Sequence, residues 1–255
     1  MLEFVGTAFP LSQSGVNETL TSSGLGIAEL WAVLSVETSG CGYLPDRRPK
    51  ILFERHVFSR LTEHRYDAGD ADISQPTAGG YGTAGASQYD RLNAAMQLDQ
   101  TAALESTSWG LGQIMGENFE AAGFPTAEAM AWAMTASEDN QLKAMVSFMN
   151  AMRLVDLLKS HNWAEFARRY NGPNYAANNY DGLLEHFYER CANGPPLDLT
   201  TRAVQILLMY RGFPPGAIDG VAGAATRRAI LEFQGSTGLA KSGVVDDQLL
   251  RTLMG

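Results

Sequence analysis

Apolar residues recur at helical spacing along most of the chain. In the clearest run, residues 28–40, Leu30, Trp31, Val33, Leu34 and Val36 make a broad apolar face that no proline interrupts, and Ser39-Gly40 closes it. Residues 10–25 are predicted to form a preceding helix, with Ser12 or Ser14 as cap and Gly24 at its end. The same period predicts helices over 89–104, 126–135, 138–158, 163–170 and 178–190. Residues 51–56 are a short apolar run that reads either as a strand or as the start of a helix through Leu61. Residues 106–116 are expected to turn tightly and enter a helix near Ile114. A small irregular sheet has room between residues 42 and 88. Within that span, 67–88 is rich in Gly and Asp and has no regular period. A loop of this length is expected to be functional or mobile.

Asn193-Gly194-Pro195-Pro196 marks the clearest boundary, because Pro-Pro cannot continue a helix. The expected organisation is a unit over 1–192, a linker over 193–196 and a second unit over 197–255. The second unit has three amphipathic segments, 200–210, 224–234 and 246–254, joined by glycine-rich turns. It also carries a faint echo, since Gly220-Val221 and Gly243-Val244 each precede a helix.

Composition sharpens this outline. The 255 residues are 45% hydrophobic and 18% charged, an ordinary globular balance that argues against disorder. The net charge of −9 argues against a nucleic-acid partner. It is uneven, about −10 before residue 197 and about +1 after it. No apolar run approaches the ~20 residues of a membrane span, so no membrane insertion is expected. The N-terminus lacks the basic and apolar regions of a signal peptide. Cys41 and Cys191 form no Cys-x-x-Cys pair and are expected as free thiols, with a disulfide between them left open. Asp67, Asp70 and Asp72 have a calcium-like spacing, but Ala78 stands where a closing Glu is needed, so neither a metal nor a cofactor is expected.

Glu37 is the residue with chemistry in view. It sits at the end of an apolar helix, where burial should raise its pKa and let it keep a proton near neutrality. Such a carboxylic acid is what glycoside hydrolysis needs to protonate a leaving oxygen, although a helix-end Glu also makes local hydrogen bonds.

Three stretches occur in order: Glu37-Thr38-Ser39-Gly40, then Ser108-Trp109-Gly110-Leu111-Gly112-Gln113-Ile114-Met115, then Tyr170-Asn171-Gly172. Together they resemble the signature of goose-type lysozymes and lytic transglycosylases. With Arg48-Pro49-Lys50-Ile51-Leu52-Phe53-Glu54-Arg55-His56, they more specifically resemble the N-acetylmuramidase domain of phage endolysins. Phe213 to Gly223, with Asp219, Gly220, Gly223 and Thr226, resembles the peptidoglycan-binding domain of wall hydrolases, with Ala224 in place of the usual Pro.

The resemblance implies a mainly α fold: an α+β lysozyme-like catalytic domain with a small three-helix peptidoglycan-binding domain. It implies hydrolysis of the β-1,4 bond between N-acetylmuramic acid and N-acetylglucosamine, leading to host lysis. Alternatives are a lytic transglycosylase and a non-catalytic wall-binding protein. Glu37 is then the general acid. Glu54 is the first candidate for a second carboxylate, followed by Glu105 and by Asp70 or Asp72. Ser108, Gln113 and Asn171 are expected to bond sugar groups, and Trp109 and Tyr170 to offer ring faces or to serve as core. Asp219, Gly220 and Thr226 are expected to shape the wall-binding turn. The resemblance further implies a monomer made in the host cytoplasm, acting on the periplasmic side or in the cell wall, with a holin-type pore as partner.

Overall fold

The structure is a computed structural model. It describes residues 3–37, 40–172, 175–194 and 197–255. In chain order the elements are α1 (Gln13–Ser23), α2 (Ile27–Glu37), β1 (Ile51–Phe53), α3 (Arg55–Leu61), α4 (Ser87–Leu98), α5 (Gln100–Glu105), β2 (Thr107–Trp109), β3 (Ile114–Met115) and α6 (Ala127–Ala136). They continue with α7 (Glu138–Ala151), α8 (Val155–Lys159), α9 (Trp163–Tyr170), α10 (Tyr180–Asn193), α11 (Leu199–Tyr210), α12 (Ala224–Thr237) and α13 (Asp247–Met254). The chain divides into two units, Met1–Ala8 with Gly42–Val155, and Phe9–Cys41 with Asp156–Gly255.

In the first unit, the run at residues 51–56 proves to be both strand and helix start. β1 ends at Phe53, and α3 begins immediately after Glu54, whose extended backbone caps it without a side-chain bond. The expected helix entry near Ile114 is corrected. Residues 107–115 form a hairpin, β2 to β3, and β1 pairs antiparallel with β2 in the register Ile51–Trp109, Leu52–Ser108, Phe53–Thr107. The sheet therefore extends beyond the 42–88 window. The hairpin tip requires Gly110: its φ is +67°, and an added Cβ would lie 2.7 Å from the Gln141 side chain. Gln141, on α7, accepts from Leu111 N–H at 2.8 Å and so fixes the tip.

The single helix expected over 89–104 is two helices. Asp99 takes an extended conformation and accepts from Ala102 N–H, capping α5 and ending α4. The helix expected over 138–158 likewise breaks, at Arg153 with φ +55°, between α7 and α8. Ser137 and Thr126 cap α7 and α6 as hydroxyl N-caps.

The second unit opens with α1, capped by Ser12 and closed by Gly24. In α2, Ala28, Leu30, Trp31, Ala32, Val33 and Leu34 are buried, and the helix packs along α10. Of the expected stop Ser39-Gly40, Ser39 lies outside the described residues, and Gly40 has a φ of +96°. α10 continues to Asn193, three residues past its expected end. The last three helices fall where the periodicity put them, around a core of Val204, Leu207, Leu208, Ala229, Ile230, Phe233, Leu249 and Leu253. Neither Cys41 nor Cys191 is in a disulfide. No single helix among the described residues is long and apolar enough to cross a membrane.

Candidate active site

Glu37 is the last residue of α2 and is half-buried. Burial pushes its carboxyl pKa above the usual range, and a hydrogen bond from Asn171 pulls partly the other way. Asn171 Nδ2 donates to Glu37 Oε1 at 2.9 Å. The other end of that amide, Oδ1, is buried without a hydrogen-bond partner. Asn171 sits at the C-terminus of α9, where its own N–H bonds Ala167 O. Tyr170, beside it, stacks on Phe166 with ring centroids 5.3 Å apart. Burial first, and then the Glu37 charge, raise the pKa of both Tyr170 and Tyr180. Glu37, Tyr170, Asn171 and Tyr180 thus form one group within the second unit. Tyr180 escaped the sequence reading, because an aromatic at the start of a helix carries no local signal.

Asn171 was expected to bond sugar; the structure gives it Glu37. A donor stabilises the charged carboxylate, so removing it raises the Glu37 pKa further. Asn171→Ala is expected to move the titration midpoint of the Glu37 carboxyl to higher pH, as followed by carbon-detected NMR of the folded protein. An unmoved midpoint would deny that Asn171 tunes this carboxyl.

The other residues expected around the catalytic chemistry lie in the first unit. Glu54 is partly buried, and its Oε2 lies 3.2 Å from His56 Nδ1, too poorly aligned for a hydrogen bond. Burial raises its pKa, opposed by the charges of His56 and Arg91. Ser108 Oγ donates to Gln113 Oε1 at 3.2 Å and to Leu52 O at 3.3 Å. Gln113 Nε2 donates to Gly110 O and Lys50 O. These two polar groups hold the hairpin to β1. Of the two roles open to Trp109, ring face for sugar or core, the structure gives it core. It is 0% exposed, edge-on to Phe4, with Nε1 donating to Leu104 O. Glu105 has Glu117 and Asp99 as charged neighbours, which add to the upward push of burial on its pKa. Asp70 accepts from Asp72 N–H, and Asp67 accepts from Ser59 and Ser74, so these acids stabilise local turns.

In the C-terminal helices, Gln205 is fully buried and organises the expected turn residues. Its Oε1 accepts from Asp219 N–H and Gly220 N–H, and its Nε2 donates to Asp219 Oδ1, Val221 O and Thr226 Oγ1. Thr226 Oγ1 donates to Pro215 O. The sequence echo has the same cause: Gln234 Oε1 accepts from Gly243 N–H at 3.0 Å.

A helix ending in a shielded carboxyl, a small antiparallel sheet and, later in the chain, a small helical core of its own are the parts of a lysozyme-type glycoside hydrolase with a wall-binding segment. The N-acetylmuramidase family model matches residues 26–192, and the chain belongs to that family. Residues 200–253 match the model of a putative peptidoglycan-binding domain. Among solved structures, the crystal structure of Burkholderia AP3 phage endolysin is similar. It shares 39% identity at a TM-score of 0.67, over 71% of this chain and 70% of that one. No curated protein matches the chain. Peptidoglycan is therefore the polymer on which the protein acts.

Proposed function

We propose that the protein is an endolysin that hydrolyses the β-1,4 bond between N-acetylmuramic acid and N-acetylglucosamine, and so lyses a host cell. The observation that carries this reading is Glu37: a carboxyl at the end of an apolar helix, with its pKa raised by burial, inside the segment matching the muramidase family. Glu37 is the general acid. It gives its proton to the bridging oxygen as the glycosidic C–O bond breaks, and an oxocarbenium-like state develops on the sugar. Water then attacks the anomeric carbon and leaves a reducing end. Glu54 takes the second carboxylate's role. Burial raises the pKa of Glu54 as it does that of Glu37, but at Glu54 the charges of His56 and Arg91 oppose it, whereas at Glu37 a single amide does.

The catalytic part spans residues 1–192 and the wall-binding part 197–255, a division supported by the gap between the two family matches. The protein acts as a monomer. It is made in the host cytoplasm and reaches the wall with help from a pore-forming partner. Mass spectrometry of digested sacculi tests the reaction. Hydrolysis gives reducing muramic ends; products lighter by one water, as anhydro sugars, would assign the protein to the transglycosylases instead.

A further inference from the structure

The loop over residues 67–88 contains no helix or strand before α4 begins at Ser87, yet three side chains hold it in place. Arg91 Nη1 donates to Tyr81 O at 2.8 Å, and Nη2 donates to Gly80 O at 3.2 Å and Asp72 O at 2.6 Å. Gln88, fully buried, donates to Tyr81 O at 2.6 Å and Thr83 O at 2.8 Å. Both side chains also grip Phe53, the residue before Glu54: Arg91 Nη1 donates to Phe53 O, and Gln88 Oε1 accepts from Phe53 N–H. Arg55, the residue after Glu54, donates to Ala71 O and fills the space where Gly80 would carry a side chain. The segment 80–83 and the backbone on both sides of Glu54 are therefore splinted together.

What this splint presents is Tyr81, with 41% of its surface exposed. Burial first, and then the charge of Glu54, raise the pKa of its phenol. Glu54 Oε2 itself is buried and makes no hydrogen bond, with His56 Nδ1 3.2 Å away as its ion-pair neighbour. A tyrosine offers an apolar ring face and a polar tip, the combination that suits a sugar ring's C–H face and hydroxyl rim. Holding one aromatic rigidly avoids the entropy cost of ordering it on binding.

We infer that Tyr81 is a binding platform for an N-acetylhexosamine ring of the glycan strand, held at fixed distance from Glu54 by Arg91 and Gln88. This inference rests on the muramidase reading above. Steady-state kinetics on soluble, undecorated glycan fragments from sacculi test it, with thermal unfolding and circular dichroism confirming that each variant is folded. Tyr81→Ala is expected to raise KM about tenfold with little change in kcat, and Tyr81→Phe to recover most of that loss. Arg91→Met, which frees the segment, is expected to raise KM in the same direction while Tyr81 is intact. An unchanged KM in a folded Tyr81→Ala, or a loss confined to kcat, would overturn the platform and leave the muramidase reading standing. Wild-type protein that cleaves no fragment would instead overturn that reading, and the platform with it.

Discussion

Glu37→Gln is expected to lower the rate of peptidoglycan cleavage by about a hundredfold to ten-thousandfold, the range a positioned general acid contributes. The substitution keeps the shape of the side chain and its hydrogen bond with Asn171. It removes only the proton that can be transferred. Turbidity clearance of sacculi by equal amounts of the two proteins measures the effect, and equal clearance would remove Glu37 from the acid role. The same substitution has a second readout of opposite sign. Because the folded pKa of Glu37 is raised, its contribution to stability is fully present below the unfolded pKa. That contribution is lost as pH rises through the folded pKa. A neutral glutamine carries no such loss, so the variant is expected to be the more stable protein at neutral pH. That advantage should shrink as the solution is acidified. Activity and stability therefore diverge at one position, as expected of a carboxyl held in an unfavourable setting for its chemistry.

The second large effect is expected at Gln205. Its amide satisfies two backbone N–H groups, one carbonyl and the side chains of Asp219 and Thr226, all around the turn into α12. Gln205→Leu fills the same volume but strands the buried Gly220 N–H and Thr226 Oγ1 and loosens the exposed groups of Asp219 and Val221 around them. Each buried orphan costs roughly 1–3 kcal/mol, so the loss should be about 3 kcal/mol or more. For a core of this size that is a large share of its stability. Co-sedimentation with purified sacculi should fall sharply, and thermal unfolding should shift down. Retained sedimentation with an unshifted transition would show that the turn does not depend on this amide. The effect also explains why Asp219, Gly220 and Thr226 stand out in sequence: they are the partners of one buried glutamine.

Much of the helical frame was legible because its signals are local. Ser12, Thr126, Ser137 and Asp246 each sit just before an apolar-periodic run and accept an N–H bond two or three residues on, as the pattern implies. The three C-terminal helices needed nothing more than period and turn residues. Breaks inside long runs were harder. Asp99 looked like a tolerable interior residue, and only its extended backbone reveals a cap between two helices. The hairpin at 107–115 was missed because its strands are only three and two residues long, and its geometry is held by Gln141 from α7.

The site divides along the same line. Glu37 was readable from an apolar helix ending in an acid. Its bond to Asn171 was not, since 134 residues separate them and no local pattern pairs them. Trp109 stayed open for a related reason: an aromatic beside glycines suits a groove as well as a core, and packing against Phe4 puts it in the core. Tyr81 lay in a loop with no periodicity, and its importance emerges only from what Arg91 and Gln88 do to it.

The most direct test of the central claim is a titration of the Glu37 side-chain carboxyl in the folded, uncomplexed protein, followed by carbon-detected NMR and assigned by its disappearance in Glu37→Gln. The expected midpoint lies clearly above the ordinary glutamate value of about 4.3. A midpoint at or below that value would contradict it, because a carboxyl already ionised under mildly acidic conditions has no proton to give.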